Sequence, residues 1–319
     1  MLLIKRYCFI ALGVILLQAC DSSKKGKLES GLEYEFVNKE EGVQPEEGEF
    51  VALNIVWKNE NDSVLGDSKD YGLPLILKKD TTWGSKGSIE DAVLLMGKGD
   101  SAILKLNSMK FYTHTLKSPL PPGIKRESDL TVFVGCSDVL TRQEVDEMIK
   151  EKQIEQTVER IRSYKEKTLA DNKELMTTQG EEIDAYLSKN NLEAQVTESG
   201  IRYIITEEGT GPKPEVGQIV SVGYTGKLLD GTVFDSSDEE VAKKHNVFDE
   251  RRGPYKPYEY PNGLGNVILG WDEGIGLLNE GSKAKLFIPS PLAYGNRDRS
   301  EIIKANSILV FDVELVEIK

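Results

Sequence analysis

Hydrophobic positions in this chain follow two periods, and the change between them divides it. Val51, Leu53, Ile55 and Trp57 alternate with polar or small residues, as do Val220, Val222 and Tyr224; Leu309, Phe311, Val313 and Leu315 do the same at the C-terminus. A period of two is that of a strand with one buried face. Residues 272–278 read as one short helix, with Ile275 and Leu278 at i, i+3 and Gly281 just past its end. The middle of the chain is helical instead. Thr141 and Glu144 make a capping box, and Val145, Met148, Ile149, Ile154, Val158 and Ile161 follow at helical spacing, opposite a face of Lys, Arg and Glu. Packing of that stripe within the chain is the expectation, with pairing of two chains left open. Thr177-Thr178-Gln179-Gly180 is expected to break the helix, leaving a second, shorter one over 181–190.

The chain also repeats itself. Glu29-Ser30-Gly31-Leu32-Glu33-Tyr34 resembles Glu198-Ser199-Gly200-Ile201-Arg202-Tyr203 at an offset of 169, which also pairs Gly42 with Gly211, Pro45 with Pro214, Gly48 with Gly217 and Val51 with Val220. Farther on, Gly99-Asp100-Ser101-Ala102 resembles Gly281-Ser282-Lys283-Ala284, and Tyr112 falls opposite Tyr294 at an offset of 182. Two copies of one domain explain this better than chance. The predicted class is α+β: a first copy over 29–140, a helical linker over 141–193 and a second copy over 194–319, each copy an antiparallel curled sheet around a short helix.

Length and charge fit that organisation. A chain of 319 residues is long for one small domain. A net charge of -13 argues against nucleic acid, which needs clustered Lys and Arg. Near the N-terminus, Lys5-Arg6 precede an apolar run over 8–17 that is too short to span a bilayer. The run ends in Leu17-Gln18-Ala19-Cys20, which resembles a bacterial lipoprotein signal. That resemblance implies a signal peptide over 1–19, lipid on Cys20, and a polar tether over 20–28. It also implies a periplasm-facing, membrane-anchored protein, with the outer membrane favoured over the inner. Cys136 is then left without a bridging partner and is expected to be buried. His114 and His245 lie far apart with no ligand-spaced neighbours, so neither a metal site nor a cofactor is expected.

The last hundred or so residues carry the chemistry. Tyr224-Thr225-Gly226 is followed by Gly231-Thr232-Val233-Phe234-Asp235-Ser236-Ser237, then Val267-Ile268-Leu269-Gly270-Trp271-Asp272-Glu273-Gly274, Ala293-Tyr294-Gly295, Ile302-Ile303 and Leu309-Val310-Phe311-Asp312. This set resembles the FK506-binding-protein (FKBP) family of peptidyl-prolyl cis-trans isomerases. The resemblance implies a pocket with Trp271 as floor and Tyr224, Phe234, Val267, Ile268, Phe311 and the aromatic Tyr258 as walls. It implies that the Tyr294 hydroxyl and the Ile268 N–H meet substrate carbonyls, that Asp235 lies against Tyr224, and that Ile302 and Ile303 overhang. The partner implied is a proline-containing, unfolded or partly folded polypeptide. Lone aromatics in alternating strands are ordinarily core, but Asp235 and Tyr294 are groups for which a plain core has no use. Roughly fourteen extra residues follow Asp235-Ser236-Ser237, and they read as a surface loop or short helix.

The first copy departs from the pattern. By the repeat, Tyr224 corresponds to Ile55, Phe234 to Leu65, Asp235 to Gly66 and Trp271 to Ile89; of these positions only Tyr112, opposite Tyr294, keeps the residue type. The expectation is an active second copy and an inactive first one. The alternatives are a non-enzymatic polypeptide-binding chaperone or an envelope scaffold lipoprotein.

Overall fold

The computed structural model describes residues 25–40, 42–80, 84 and 86–319. The expected signal segment, Cys20 and the tether up to residue 24 lie outside them. The described residues divide into two compact units, the first ending at 149 and the second covering 150–319.

The first unit contains β1 (Lys25–Lys27), β2 (Glu33–Asn38), β3 (Phe50–Lys58), β4 (Val64–Asp67), β5 (Leu75–Lys78), α1 (Ile89–Val93), β6 (Ser101–Asn107), the single turn α2 (Ser108–Lys110) and β7 (Asp129–Leu140). Two helices follow, α3 (Arg142–Asp171) and α4 (Lys173–Lys189). Then come β8 (Gln195–Val196), β9 (Arg202–Glu207), β10 (Ile219–Leu228), β11 (Val233–Ser236), α5 (Glu239–Lys244), β12 (Tyr258–Pro261), α6 (Leu269–Gly276), β13 (Lys283–Ile288) and β14 (Leu309–Ile318).

Each unit holds one seven-stranded antiparallel sheet. The first runs β1-β2-β6-β7-β3-β4 with β5 also on β3; the second runs β8-β9-β13-β14-β10-β11 with β12 also on β10. Strand for strand the topology is the same. The ladders even slip at matching places: between Ala52 and Leu53 and between Trp57 and Lys58 on β3, and between Ser221 and Val222 and between Gly226 and Lys227 on β10. A bulge bends and twists its strand, so both sheets curl at the same points.

Each sheet closes around its own core. In the first unit Val51, Leu53 and Ile55 meet Leu104, Val132 and Ile89 of α1; in the second Val220 and Val222 meet Leu286, Leu309, Leu315 and Ile275 of α6. Burial of side chains of this size stabilises by about 1.5–3 kcal/mol apiece. Helix α6 starts one turn earlier than the sequence pattern predicts. Gly270 and Gly274 bring it close to β13: a Cβ at these positions would come within 2.4 Å of Ile288 and 2.6 Å of Leu286.

Two expectations need correction. Lys25–Lys27 is not the end of a tether but an edge strand, and Lys25 faces Glu35 at 2.9 Å and Lys27 faces Glu33 at 3.1 Å across the ladder. Opposite charges in register favour that pairing. The helical segment breaks at Asn172, not at 177–180, with the Asn172 amide bonded to the Thr168 carbonyl at 2.8 Å. Thr177 and Thr178 lie within α4, their hydroxyls bonded to the carbonyls of Lys173 and Glu174, four residues back, as Thr within a helix commonly is. The capping box forms as predicted, the Thr141 N–H reaching Glu144 at 2.7 Å and the Glu144 N–H reaching Thr141 Oγ1 at 3.3 Å.

Helix α4 covers the outer face of the second sheet, burying Ile183 and Leu187 against Phe287, Ile308 and Val310. Phe287 stands opposite Val310 in the ladder; the same place in the first sheet is held by Lys105 opposite Thr131, a polar pair. Among the described residues, no helix is long and apolar enough to cross a membrane.

Candidate functional site

The second sheet leaves a hollow at its curled centre. Tyr224 on β10 and Phe311 on β14 face inward, and Gly226 is paired with both Phe311 and Asp235. A Cβ on Gly226 would stand 2.5 Å from Phe234 and 2.8 Å from Phe311, so glycine here keeps the space open. Trp271, in the first turn of α6, closes the bottom and is 5% exposed. Its ring lies 5.2 Å from Tyr224 and 5.3 Å from Phe311, edge-on to both at 81°. Edge-to-face contacts of this kind hold aromatic walls in fixed orientation.

The cavity measures about 750 Å³, within the range of small-molecule and peptide pockets. Tyr224, Phe234, Asp235, Tyr258, Val267, Ile268, Trp271, Tyr294 and Phe311, the positions implied by the resemblance to the FKBP family, all line it. Ile302 and Ile303 do not. The Ile303 carbonyl accepts from Arg299 N at 2.9 Å and Ser300 N at 3.2 Å, and its N–H donates to Ser300 Oγ at 2.9 Å. That tight turn draws the Ile303 side chain into the core, where it is 5% exposed.

Among the described residues Trp271 Nε1, buried in the floor, has no hydrogen-bond partner, and an unpaired buried donor costs about 1–3 kcal/mol. The backbone N–H of Ile268 just before α6 and the hydroxyl of the half-exposed Tyr294 also make no hydrogen bond within the chain, so these donors are open to an acceptor in the cavity.

Asp235 sits at the edge in a network. It accepts from the Tyr224 hydroxyl at 2.7 Å and from Ser236 N at 2.8 Å, and it forms an ion pair with Arg252. Arg252 also donates to Tyr224 Oη at 2.6 Å and to the Ser236 carbonyl at 3.0 Å. Burial, and then the bond to Asp235, push the Tyr224 phenol well above its ordinary range. Tyr224 therefore stays protonated and keeps donating.

Sequence spacing missed Arg252, because it comes from the extra segment after β11. That segment begins as the short helix α5, then stacks Phe248 on Tyr255 at 5.2 Å and brings Arg252 to 5.0 Å from the Tyr255 ring. A second hollow of about 720 Å³, bounded by Arg252, Tyr255 and Tyr258, adjoins the first across Tyr224 and Asp235. Also missed was a wall from α3, to which Arg160, Ile161 and Tyr164 contribute. Ile161 ends the apolar stripe read from the sequence, but a stripe does not say which surface it will cover.

In the first unit the equivalent space is filled. Trp57, at the place of Gly226, is 3% exposed and donates Nε1–H to Tyr112 Oη at 3.1 Å. Phe111 lies 5.5 Å from both the Trp57 and Tyr112 rings. Gly66, at the place of Asp235, makes room: a Cβ there would meet the indole at 2.2 Å. Tyr112 keeps the residue type of Tyr294 but not its place, being 5% exposed against 37%.

In the second unit a twisted sheet wrapped on one short helix encloses a hollow floored by Trp271 and walled by Tyr224, Phe234 and Phe311. The profile of FKBP-type peptidyl-prolyl cis-trans isomerases matches residues 211–316. An FKBP-type peptidyl-prolyl cis-trans isomerase, FkpA, of Aeromonas hydrophila is 37% identical over 221 residues, covering 67% of this chain and 73% of its own. A probable FkpA isomerase of Neisseria meningitidis serogroup B is 34% identical over 194 residues, 60% of this chain and 65% of its own. The outer membrane protein MIP of Legionella longbeachae is 38% identical over 138 residues, 43% of this chain and 52% of its own. The chain belongs to the FKBP-type peptidyl-prolyl cis-trans isomerases.

Proposed function

We propose that the cavity of the second unit is the isomerase site, that the first unit is inactive, and that the protein works on extracytoplasmic polypeptides from a lipid anchor on Cys20. One contrast carries the reading of the two units: a hollow with unpartnered donors in one, and a tryptophan in the same place in the other. The anchor reading rests on Leu17-Gln18-Ala19-Cys20 and on a relative named as an outer membrane protein. The clients are proline-containing segments of unfolded or partly folded proteins.

The chemistry follows from the bond itself. Rotation about an X-Pro bond is opposed by imide resonance, with a barrier of roughly 18–20 kcal/mol. Twisting removes the resonance and lowers the charge on the carbonyl oxygen, so an apolar, water-poor pocket binds the twisted form better than the planar one. The proline ring packs on Trp271 between Tyr224 and Phe311. The Ile268 N–H and the Tyr294 hydroxyl hold the carbonyls on either side, fixing one part of the peptide while the other turns. Asp235, held by Tyr224 and Arg252, stands beside the amide as it twists.

The test is an X-Pro isomerisation assay on the full chain from Cys20 onward. Asp235→Ala and Tyr294→Phe should each lower kcat/KM by about tenfold, the worth of one well-placed hydrogen bond, while Tyr112→Phe should leave it unaltered. Activity that survives both second-unit changes would place the site elsewhere. Labelling with a fatty acid that is retained in Cys20→Ala would remove the anchor.

A further inference from the structure

One wall of the cavity does not belong to the sheet. Arg160, Ile161 and Tyr164 of α3 line it beside Leu264 and Gly265. The helix is seated by contacts along its length. Ile161 lies over Gly265, where a Cβ would stand 3.2 Å from its Cδ1, and Ile154 lies over Gly217 at the same distance. Gly265 has φ +69° and Gly217 φ +86°, backbone that favours glycine, so the slot for the helix is built into the main chain. Lys165 reaches Glu273 of α6 at 3.2 Å, and Ser199 Oγ donates to the same carboxylate at 2.7 Å.

The charges around the cavity are uneven. Its lining holds two cations, Arg160 and Arg299, and a single carboxylate, Asp235, which Arg252 already neutralises. Among the described residues neither Arg160 nor Arg299 has a carboxylate at ion-pair distance. Glu159, next to Arg160, is taken by Arg162 at 3.3 Å, and Arg299 lies over the Tyr294 ring at 5.4 Å. This occurs on a chain whose net charge is -13. Repulsion from the acidic surface is screened beyond roughly 8–10 Å in ordinary salt, so a bound peptide senses the two guanidinium groups first. Guanidinium matches carboxylate geometry with paired donors.

We propose that the enzyme favours proline segments carrying Asp or Glu near the isomerising bond, and that Arg160, supplied by the linker helix, is a specificity-determining residue together with Arg299. This rests on the cavity being the isomerase site.

The test uses three synthetic proline peptides that differ in one residue near the X-Pro bond, which is Glu, Gln or Lys, and the full chain from Cys20 onward. Isomerisation is followed by exchange NMR so that no coupling protease imposes its own preference. At low ionic strength kcat/KM should fall from Glu to Gln to Lys, with a Glu-to-Lys ratio of about three- to tenfold for two part-exposed pairs. The ratio should shrink in about 0.5 M salt and approach one in the Arg160→Gln, Arg299→Gln double variant. Lys167→Gln, which removes one cation from α3 outside the cavity lining, should keep the ratio. A flat series with all three peptides accelerated overturns the charge preference alone, as does a ratio that the double variant leaves intact. Failure to accelerate any of the three overturns the active-site reading and this one with it.

Discussion

The two units share a sheet down to its bulges and differ in what fills it. In the second, the cross-strand pair Gly226–Asp235 leaves a hollow and places a carboxylate at its edge; in the first, the equivalent pair Trp57–Gly66 puts the bulk on the other strand and closes the space. Each pair contains one glycine, on opposite strands. Topology and bulge register constrain the backbone, and one exchange of bulk across a ladder decides between core and pocket. The same volume is used in two ways: the first unit packs it, the second leaves it open.

Emptying the filled space should have the greatest effect. Trp57→Ala should cost about 4 kcal/mol, as buried aromatic truncations do, seen as an early transition in denaturant unfolding of the full chain. A loss under about 1 kcal/mol would mean that the indole does not hold the first core together. Next, Gly226→Trp copies the first unit's filler into the second. It should lower kcat/KM by about a hundredfold or more and also lower thermal stability, because Phe234 and Phe311 stand where the new side chain must go; retained turnover would show that the hollow is not where proline binds.

A smaller effect separates the units by pH. Asp100 is buried and accepts from Lys39, from Gly97 N at 2.7 Å and from Glu40 N at 2.6 Å. Its place in the second unit is held by Ser282, whose Oγ accepts from Gly209 N at 2.8 Å. Burial pushes the Asp100 carboxyl up, but the bonds from Lys39 and the two amides outweigh it and hold it below its ordinary 3.8. A depressed folded value means the stabilisation is present above that ordinary value and is lost as pH falls through the lower one. Asp100→Asn should therefore cost about 2 kcal/mol at neutral pH and progressively less below about pH 4. An equal cost at pH 7 and pH 2 would break the argument. The smallest expected effect is at the insert: Arg252→Gln should lower kcat/KM about threefold by loosening Asp235 and Tyr224, with no change in thermal stability beyond about a degree.

Much of this was legible in the sequence, for identifiable reasons. The strands showed through period two, and the duplication through offsets that the structure reproduces in its bulges. Trp271, Tyr224, Phe311 and Tyr294, which the resemblance to the FKBP family implied as site residues, do line one cavity, because a family motif is carried by residue types that survive in one dimension. Trp57 was readable as a strand residue, yet its role as filler emerges only when it is set against Gly226, a glycine that carries no chemistry of its own. Ile303 differs from the overhang implied by the resemblance because a turn held by Ser300 rotates it inward, and turns of that kind leave little trace in composition. Lys25–Lys27 looked like solvated chain because an edge strand can be charged on its open side. The seat of α3 was hidden because it depends on Gly217 and Gly265, far along the chain.

That seat has a practical meaning for anyone who trims the protein. A fragment beginning near residue 194 keeps the floor, the aromatic walls and Asp235, so it should pass as the minimal enzyme. It also loses Arg160, Ile161 and Tyr164 and bares the glycines they cover. Inhibitors ranked on such a fragment would be ranked against a wider, less cationic mouth than the intact chain presents. Those that gain affinity by filling the vacated side would collide with the helix in the full-length protein.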